Sequence, residues 1–469
     1  MGAEAEKENV LGYENINKLI AKFAIPAIIS MVVSSVYNII DQVLIGWSDI
    51  GMLGIAATTV SFPLTTIVLA VTLLFSVGGA SNFNLKLGKG DKDGAGRFAG
   101  NAISAGIIVG VLLMVLAFVF LSPMLDLFGA TEANRPYTVA YTRIVLFGIP
   151  FQVFSAITNF LIRSDGSPKF SMVCTLAGAI FNMVCDPIVL FVLGWGIEGI
   201  ALTTMLGPVI SSSMSAFYMI KRFNSVKLKR EHFRIRFESM KRIVILGLAA
   251  FSNQLATTFM QIILNNALKT YGGTSIYGSD IPIAVVGAIG KINMIFVSIF
   301  VGIGQGCQPI NGFNYGAGNY DRVKKTYLTA IRLSVIASTV TFLLYQLFPR
   351  QIMMIFGDNS ELFYEFGIRY LKVYMMLTFL SGIQPVTSNF FTSIGKAYKG
   401  MFISMTRQVL FLIPLLIILP RIFALDGVLY TGPIADVVTV AVAIALVTYE
   451  LRHLGQKKPK KEQILYLDD

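Results

Sequence analysis

Two aspartates stand in segments that are otherwise apolar enough to cross a lipid bilayer. In Ser34-Ser35-Val36-Tyr37-Asn38-Ile39-Ile40-Asp41, the i,i+4 spacing puts Tyr37 and Asp41 on one helical face. In Asn182-Met183-Val184-Cys185-Asp186-Pro187 the same spacing joins Asn182 to Asp186, and Pro187 withdraws the donor that would bond the Met183 carbonyl. An ionised carboxylate at the bilayer centre costs about 2.5–3.5 kcal/mol on insertion scales. Two bare carboxylates in one dry pocket also repel, so either one carries a proton or a cation sits between them. Thr203 and Thr204, one span further on, add neutral oxygens. If the two spans meet, Asp41, Asp186, Asn182 and the freed Met183 carbonyl share one pocket, whose chemistry is reversible capture of H+ or Na+ with Thr203 and Thr204 as further oxygen donors. Pro26 and Pro187 each share a helix with one of the acids, so occupancy of the site can be coupled to a bend. The plainer alternative is that both acids hold helix ends or backbone and never change state.

The second half of the chain does not repeat these acids. Its polar positions near residue 260 are amides, Gln254, Gln261, Asn265 and Asn266, and a later span carries Arg407 and Gln408. Glu365 lies near a span end, and Asp436 has no second acid beside it, so solvation or static pairing is expected for both. Arg143 and Arg369 are expected to reach headgroups. Lys291 lies too deep in its span to snorkel easily. It is either a countercharge in a central cleft or one member of a static pair. Energy coupling is therefore expected in the first half alone.

The elements that must position these groups are membrane helices. The chain has 469 residues, 55% hydrophobic and 14% charged, where a soluble globule carries about 25% charged residues. Mean hydropathy is +0.69. The expected fold class is an all-α integral membrane protein with twelve spans. These run roughly over 16–46, 53–84, 98–122, 136–162, 169–193, 198–220, 240–269, 281–312, 325–348, 362–393, 398–420 and 427–451. A repeat divides them. At a shift of about 228 residues, Gly88 meets Gly316, Gly90 meets Gly318, Asp93 meets Asp321, and Glu198-Gly199 meets Asp426-Gly427. Two such halves enclose a pseudo-symmetric cleft.

The formal charge of +12 is not a nucleic-acid signature, because Lys and Arg concentrate in alternate connections. Lys86, Lys89, Lys92, Arg97, Arg163, Lys169, Arg322, Lys324, Lys325, Lys396, Lys399 and the nine basic residues from Lys221 to Arg242 fall on one side. Only Arg135, Lys269, Arg350 and Arg421 fall on the other. That bias puts both termini in the cytoplasm. The organisation expected is a tail over 1–15, a first lobe over 16–220, a basic linker over 221–239 held at anionic headgroups, a second lobe over 240–451, and a basic tail over 452–469. Met1–Lys18 is polar and acidic and shows no cleavable signal. Cys174, Cys185 and Cys307 lie in apolar segments without CxxC spacing and read as buried free thiols.

On Tyr37-Asn38-Ile39-Ile40-Asp41, Asn182-Met183-Val184-Cys185-Asp186-Pro187, and Gly304-Gln305-Gly306-Cys307-Gln308-Pro309 with Asn314-Tyr315-Gly316-Ala317, the chain resembles the multidrug and toxic compound extrusion (MATE) family. That family is a branch of a wider group that includes lipid and oligosaccharide flippases. The likeness covers nearly the whole chain and rests on the order of these marks along it. It implies twelve helices in two six-helix lobes around a V-shaped cleft, working by alternating access. It also implies export of cationic, amphipathic drugs or toxins against inward H+ or Na+, by a monomer in a bacterial plasma membrane. By position, Asp41, Asn182, Asp186 and Thr204 match the cation site of the family's first lobe, and Pro26 matches a proline whose bend accompanies its cycle. Asn159, Ser34 and Asn38 would line the cavity and touch substrate. Some members carry acids in the seventh and tenth helices; the absence of an acid from the seventh here favours the type coupled through the first lobe.

Other functions fit less well. A flippase for lipid-linked or polar precursors has anionic cargo and would line its cleft with several basic groups, whereas Lys291 and Arg407 are the chief deep ones here. An intramembrane enzyme needs a nucleophile or metal set, and His232 and His453 fall in connecting segments without partners in the sequence. No Walker loop is present to power an ATP-driven pump. No cofactor is expected beyond the coupling ion, and the only other partners expected are membrane lipids.

Overall fold

A computed structural model describes residues 9–356 and 361–455, and no strand occurs among the described residues. Asn15 caps the first long helix by accepting from the Asn17 N–H at 2.9 Å, and α1 runs over Ile16–Trp47. It is followed by α2 (Gly51–Gly88), α3 (Lys92–Val119), α4 (Arg135–Leu146), α5 (Ile149–Ser164), α6 (Pro168–Pro187) and α7 (Gly196–Lys221). The second half holds α8 (Phe237–Gly272), α9 (Asp280–Gly316), α10 (Tyr320–Leu347), α11 (Glu361–Val373), α12 (Ile383–Ser393), α13 (Ala397–Met405) and α14 (Ile413–Arg452). Among the described residues nine helical stretches are long and apolar enough to cross a membrane. They number ten if α4 and α5, which meet at a 47° bend, form one span.

One expected span is divided, and the boundary between two others is a sharp break within one helical stretch. The span placed at 362–393 is divided into α11 and α12 by an irregular stretch containing one 3-10 turn, Thr378–Leu380. The spans placed at 398–420 and 427–451 run on as one helical stretch, Ala397–Arg452, of 56 residues. It is interrupted at Ala424, whose φ of 50° and ψ of −133° break the helical path. A straight helix of that length would reach about 84 Å at 1.5 Å per residue. The break turns the chain back, and Gly427 sits against the Leu419 carbonyl it has just left.

The sequence repeat has a physical cause. Gly90 and Gly318 both take left-handed φ, +79° and +77°, to turn the chain from α2 into α3 and from α9 into α10. Gly88 and Gly316 face one another: a Cβ on Gly88 would lie 2.0 Å from the Phe313 carbonyl oxygen, and one on Gly316 would lie 2.2 Å from that of Leu85. A residue that touches its own repeat-mate lies next to the pseudo-twofold axis.

Close contacts between the halves continue from that end. Gly78 and Gly247 bring α2 against α8, where added Cβ atoms would come within 2.0 Å of the Ile243 and Leu74 carbonyls. Gly306 and Gly302 bring α9 against Ala24 and Ile28 of α1. Polar side chains bridge the same seam, with Gln308 donating to Ser81 (2.7 Å), Asn82 donating to the Arg242 carbonyl (3.2 Å), and Ser35 hydrogen-bonding Ser298 (2.6 Å).

The linker is docked. Asn101 of α3 donates to the carbonyls of His232 (2.9 Å) and Arg234 (3.2 Å) and accepts from the Arg236 N–H (2.8 Å). His232 is buried; its Nδ1 accepts from the Lys229 N–H, and its Nε2 stands 3.0 Å from Asp93. That hydrogen bond and the neighbouring Arg97 hold the Asp93 carboxyl below the usual carboxylate range. Asp93, Glu231 and His232 cluster as a metal site would, but both ring nitrogens of His232 are engaged. The basic tail Lys457-Lys458-Pro459-Lys460-Lys461 and residues 1–8 lie outside the described residues.

Candidate functional site

α6 packs against both α1 and α7, and that junction gathers the first-half acids. Asp41, Asn182, Asp186 and Thr203 are all buried. The two carboxylates are close enough for the charge of Asp186 to act on Asp41. Thr203 Oγ1 donates to Asp186 Oδ1 at 2.5 Å and also lies 2.8 Å from the Ile200 carbonyl. A hydroxyl has one proton. With Asp186 ionised, Thr203 gives that proton to the carboxylate. With Asp186 protonated, the acid donates to Thr203 and Thr203 turns to Ile200. Both protonation states therefore find partners without moving the backbone.

Around this pair the polar accounting is incomplete. Asp41 Oδ1, Asp186 Oδ2, Asn182 Nδ2 and Thr204 Oγ1 are buried without a hydrogen-bond partner. Thr204 lies beside the Tyr37 and Tyr141 hydroxyls, with no well-aligned bond to either. Buried polar atoms are normally paired. Three of these orphans are oxygens on three helices, two of them carboxylate oxygens able to hold a proton or a small hard cation, whereas the Asn182 Nδ2 orphan is a donor. Gly207 leaves room for Asn182, because a Cβ there would come within 2.3 Å of its Oδ1.

The helix carrying Asp41 runs unbroken through Pro26. Pro26 removes the donor to the Lys22 carbonyl. Ser30 then donates to Pro26 O, Ser34 to Ser30 O, and Asn38 to Ser34 O, at 2.9, 2.8 and 2.6 Å. Side-chain donors of this kind loosen the backbone ladder and favour curvature. Pro187 ends α6, and a π turn over Ile188–Val192 follows at once.

The expected cavity residues are placed separately. Ser34 is half-buried and Asn38 exposed on α1. Asn159 lies in a buried serine cluster of α5 and α7, donating to Ser155 (3.2 Å) and Ser211 (3.4 Å), with no hydrogen bond to the acid pair. Lys291 is exposed on α9 and has no carboxylate within 4.0 Å among the described residues. Seven residues separate it from Ser298, so it shares the face that meets α1, about 10 Å further along. Gly287 and Gly290 beside it have open space where a Cβ would be.

Tyr141 was not foreseen; its only signal was a tyrosine inside the fourth apolar run. Arg163, counted above among the loop charges, is buried instead. It stacks 4.3 Å over Phe160 and donates to Gln305 of the other half at 3.2 Å. Arg369 pairs with Asp426 at 2.7 Å. Glu365 accepts from the Tyr277 hydroxyl at 2.8 Å.

In the second half, Arg407 Nε donates to buried Asp436 at 2.7 Å, so the static pairing expected for Asp436 is present. Arg407→Ala would strand a buried carboxylate and should cost about 3–5 kcal/mol of stability, whereas Arg407→Met with Asp436→Leu should be nearly neutral. Thermal unfolding of the two variants checks this.

The protein-family model described as MatE matches residues 26–188 and 249–418. The chain belongs to the MatE family. The MATE fold extends over its full described length. A solved MATE multidrug transporter, DinF-BH, is 30% identical, with 98% of this chain and all of that chain covered and a TM-score of 0.87. An outward-facing multidrug resistance MATE transporter of the MOP superfamily is 24% identical, with 97% of this chain and all of that chain covered and a TM-score of 0.89. Among curated relatives, multidrug export protein MepA of Staphylococcus saprophyticus is 24% identical, with 92% of this chain and 93% of the relative covered. This MATE chain is a multi-pass membrane transporter and not an enzyme.

Proposed function

We propose that this MATE transporter is a secondary-active multidrug efflux antiporter that exports cationic amphipathic compounds in exchange for inward H+ or Na+. The observation that carries the reading is the buried Asp41–Asp186 pair with its unpartnered oxygens beside Asn182 and Thr204. Binding of the coupling ion neutralises repulsion between the acids and lets α1 bend at Pro26. The gap faced by Asn38 and Lys291 then changes shape and releases cargo. The kinship with proteins named for multidrug export supports the substrate class. The reading includes twelve crossings, two six-helix lobes, a monomer and a bacterial plasma membrane, with the basic connections and both termini cytoplasmic. Of the inward basic groups named above, Arg407 is already paired with Asp436 and Arg163 is engaged by Phe160 and Gln305, so Lys291 alone of the three is left to meet cargo, which disfavours anionic flippase cargo.

The test uses proteoliposomes containing ethidium, given an H+ gradient or a Na+ gradient separately. At least one gradient is expected to move the dye uphill. Movement indifferent to both would overturn antiport.

A further inference from the structure

The segment that precedes α1 packs on the half it does not belong to. Asn9 accepts from the Leu11 N–H at 3.1 Å and starts a single helical turn, Val10–Tyr13, which meets α9. So short a turn leaves its last carbonyls without helical partners, and two side chains of the second half take them up. Asn314 of α9 donates to the Leu11 carbonyl at 2.9 Å. Arg322 of α10 donates through one terminal nitrogen to the carbonyls of Leu11 (3.1 Å) and Glu14 (2.7 Å), and its Nε donates to Asn314 at 3.0 Å. Leu11, Ile20 and Phe23 lie in one buried cluster with Ile310, Val323 and Phe390 of the second half. Further along the same helix, beyond Pro26, Asp41 lies where α1 packs on α6 of the first half. The second half therefore holds the start of α1, and the first half holds its acid. The linker repeats the device in reverse, because Asn101 of the first half grips the carbonyls of His232 and Arg234 just before α8.

We propose that Arg322 is the positioning residue of a clasp: it fixes the start of α1 to the second half, and the halves part at this end of the seam only when it releases the Leu11 and Glu14 carbonyls. The inference rests on the reading that the transporter alternates between states in which the halves touch and part. A guanidinium stays charged and can hold two carbonyls from one nitrogen. Its charged donors make stronger hydrogen bonds than neutral ones. Both bonds cross from one half to the other, so a parting of the halves at α1 breaks them together. They therefore favour the touching state.

The test follows maleimide labelling of the purified full chain in a Cys185→Ala background, where two buried thiols remain. Cys307 belongs to the cluster beneath the clasp. Cys174 lies one turn before Gly178, which meets the Gly207 carbonyl of α7, so it is sheltered inside the first half. Arg322→Gln should speed labelling of Cys307 roughly ten- to hundredfold and leave Cys174 unchanged. Arg322→Lys, which keeps the charge without the fork, should fall between that variant and the native chain. Equal acceleration at both thiols would mean general loosening and would overturn the clasp. Gly247→Ala, which forces α2 from α8, separates the remaining outcomes. Unchanged Cys307 labelling in Arg322→Gln beside acceleration in Gly247→Ala overturns the clasp and leaves the parting of the halves standing. Unchanged labelling in both variants overturns the clasp together with the alternation on which it depends.

Discussion

Asp41→Asn is expected to reduce gradient-driven transport to the leak level while leaving the fold intact. Asparagine keeps the size of the side chain and its carbonyl oxygen. It loses both the charge that would hold Na+ and the site that would hold a proton. Losing about 1.4–2.8 kcal/mol of ion affinity corresponds to roughly a ten- to hundredfold weaker site, and coupling fails with it. Stability should not fall, because the substitution removes repulsion with Asp186 and leaves Thr203 in place as that acid's donor. A purely structural Asp41 predicts the opposite pattern, a lower unfolding midpoint with transport roughly preserved. Dye transport and thermal unfolding on the same preparation separate the two.

Gly247→Ala should have an effect of similar size for a different reason. The new Cβ would be placed 1.9 Å from the Leu74 carbonyl oxygen, which is backbone and cannot swing aside. Only separation of α2 from α8 relieves the clash, and overpacking of this kind costs about 1–3 kcal/mol. The cost falls on the state in which the halves touch, so the population shifts roughly 5- to 150-fold toward the separated state. Cys307 reports on this, being buried next to Gly306 where α9 meets α1. In a background lacking Cys174 and Cys185, maleimide labelling of Cys307 should accelerate and transport should fall. Unchanged labelling would mean that the seam does not open as a unit.

The acid site was readable in the sequence because an acid in an apolar run must be explained. Asp41, Asn182 and Asp186 announced themselves by charge or amide character and by i,i+4 spacing. Tyr141 did not, because a tyrosine near a span end looks the same whether it anchors at headgroups or borders a buried site. Arg163 was misread for a related reason. Its few residues' distance from the turn at Gly166 suggested a loop charge, and only the packing reveals Phe160 beneath it and Gln305 beyond. The repeat exposed Gly88 and Gly316, which pair with themselves across the axis. The same shift sets Gly78 on Gly306, but it could not expose Gly247, which falls on Leu19 and whose close partner is the Leu74 carbonyl. The boundary between the spans read as 398–420 and 427–451 was legible, and the break falls inside it at Ala424, whose left-handed φ, unlike a glycine's, carries no sequence mark.

The most direct measurement of whether the Asp41–Asp186 pair carries the coupling ion is ion flux during transport. Vesicles carrying an outward ethidium gradient would be followed with an internal pH or Na+ indicator, for the native chain and for Asp41→Asn with Asp186→Asn. The native protein should move H+ or Na+ opposite to the dye, and the double variant should move neither above leak. Equal counterflow in the double variant would contradict the account.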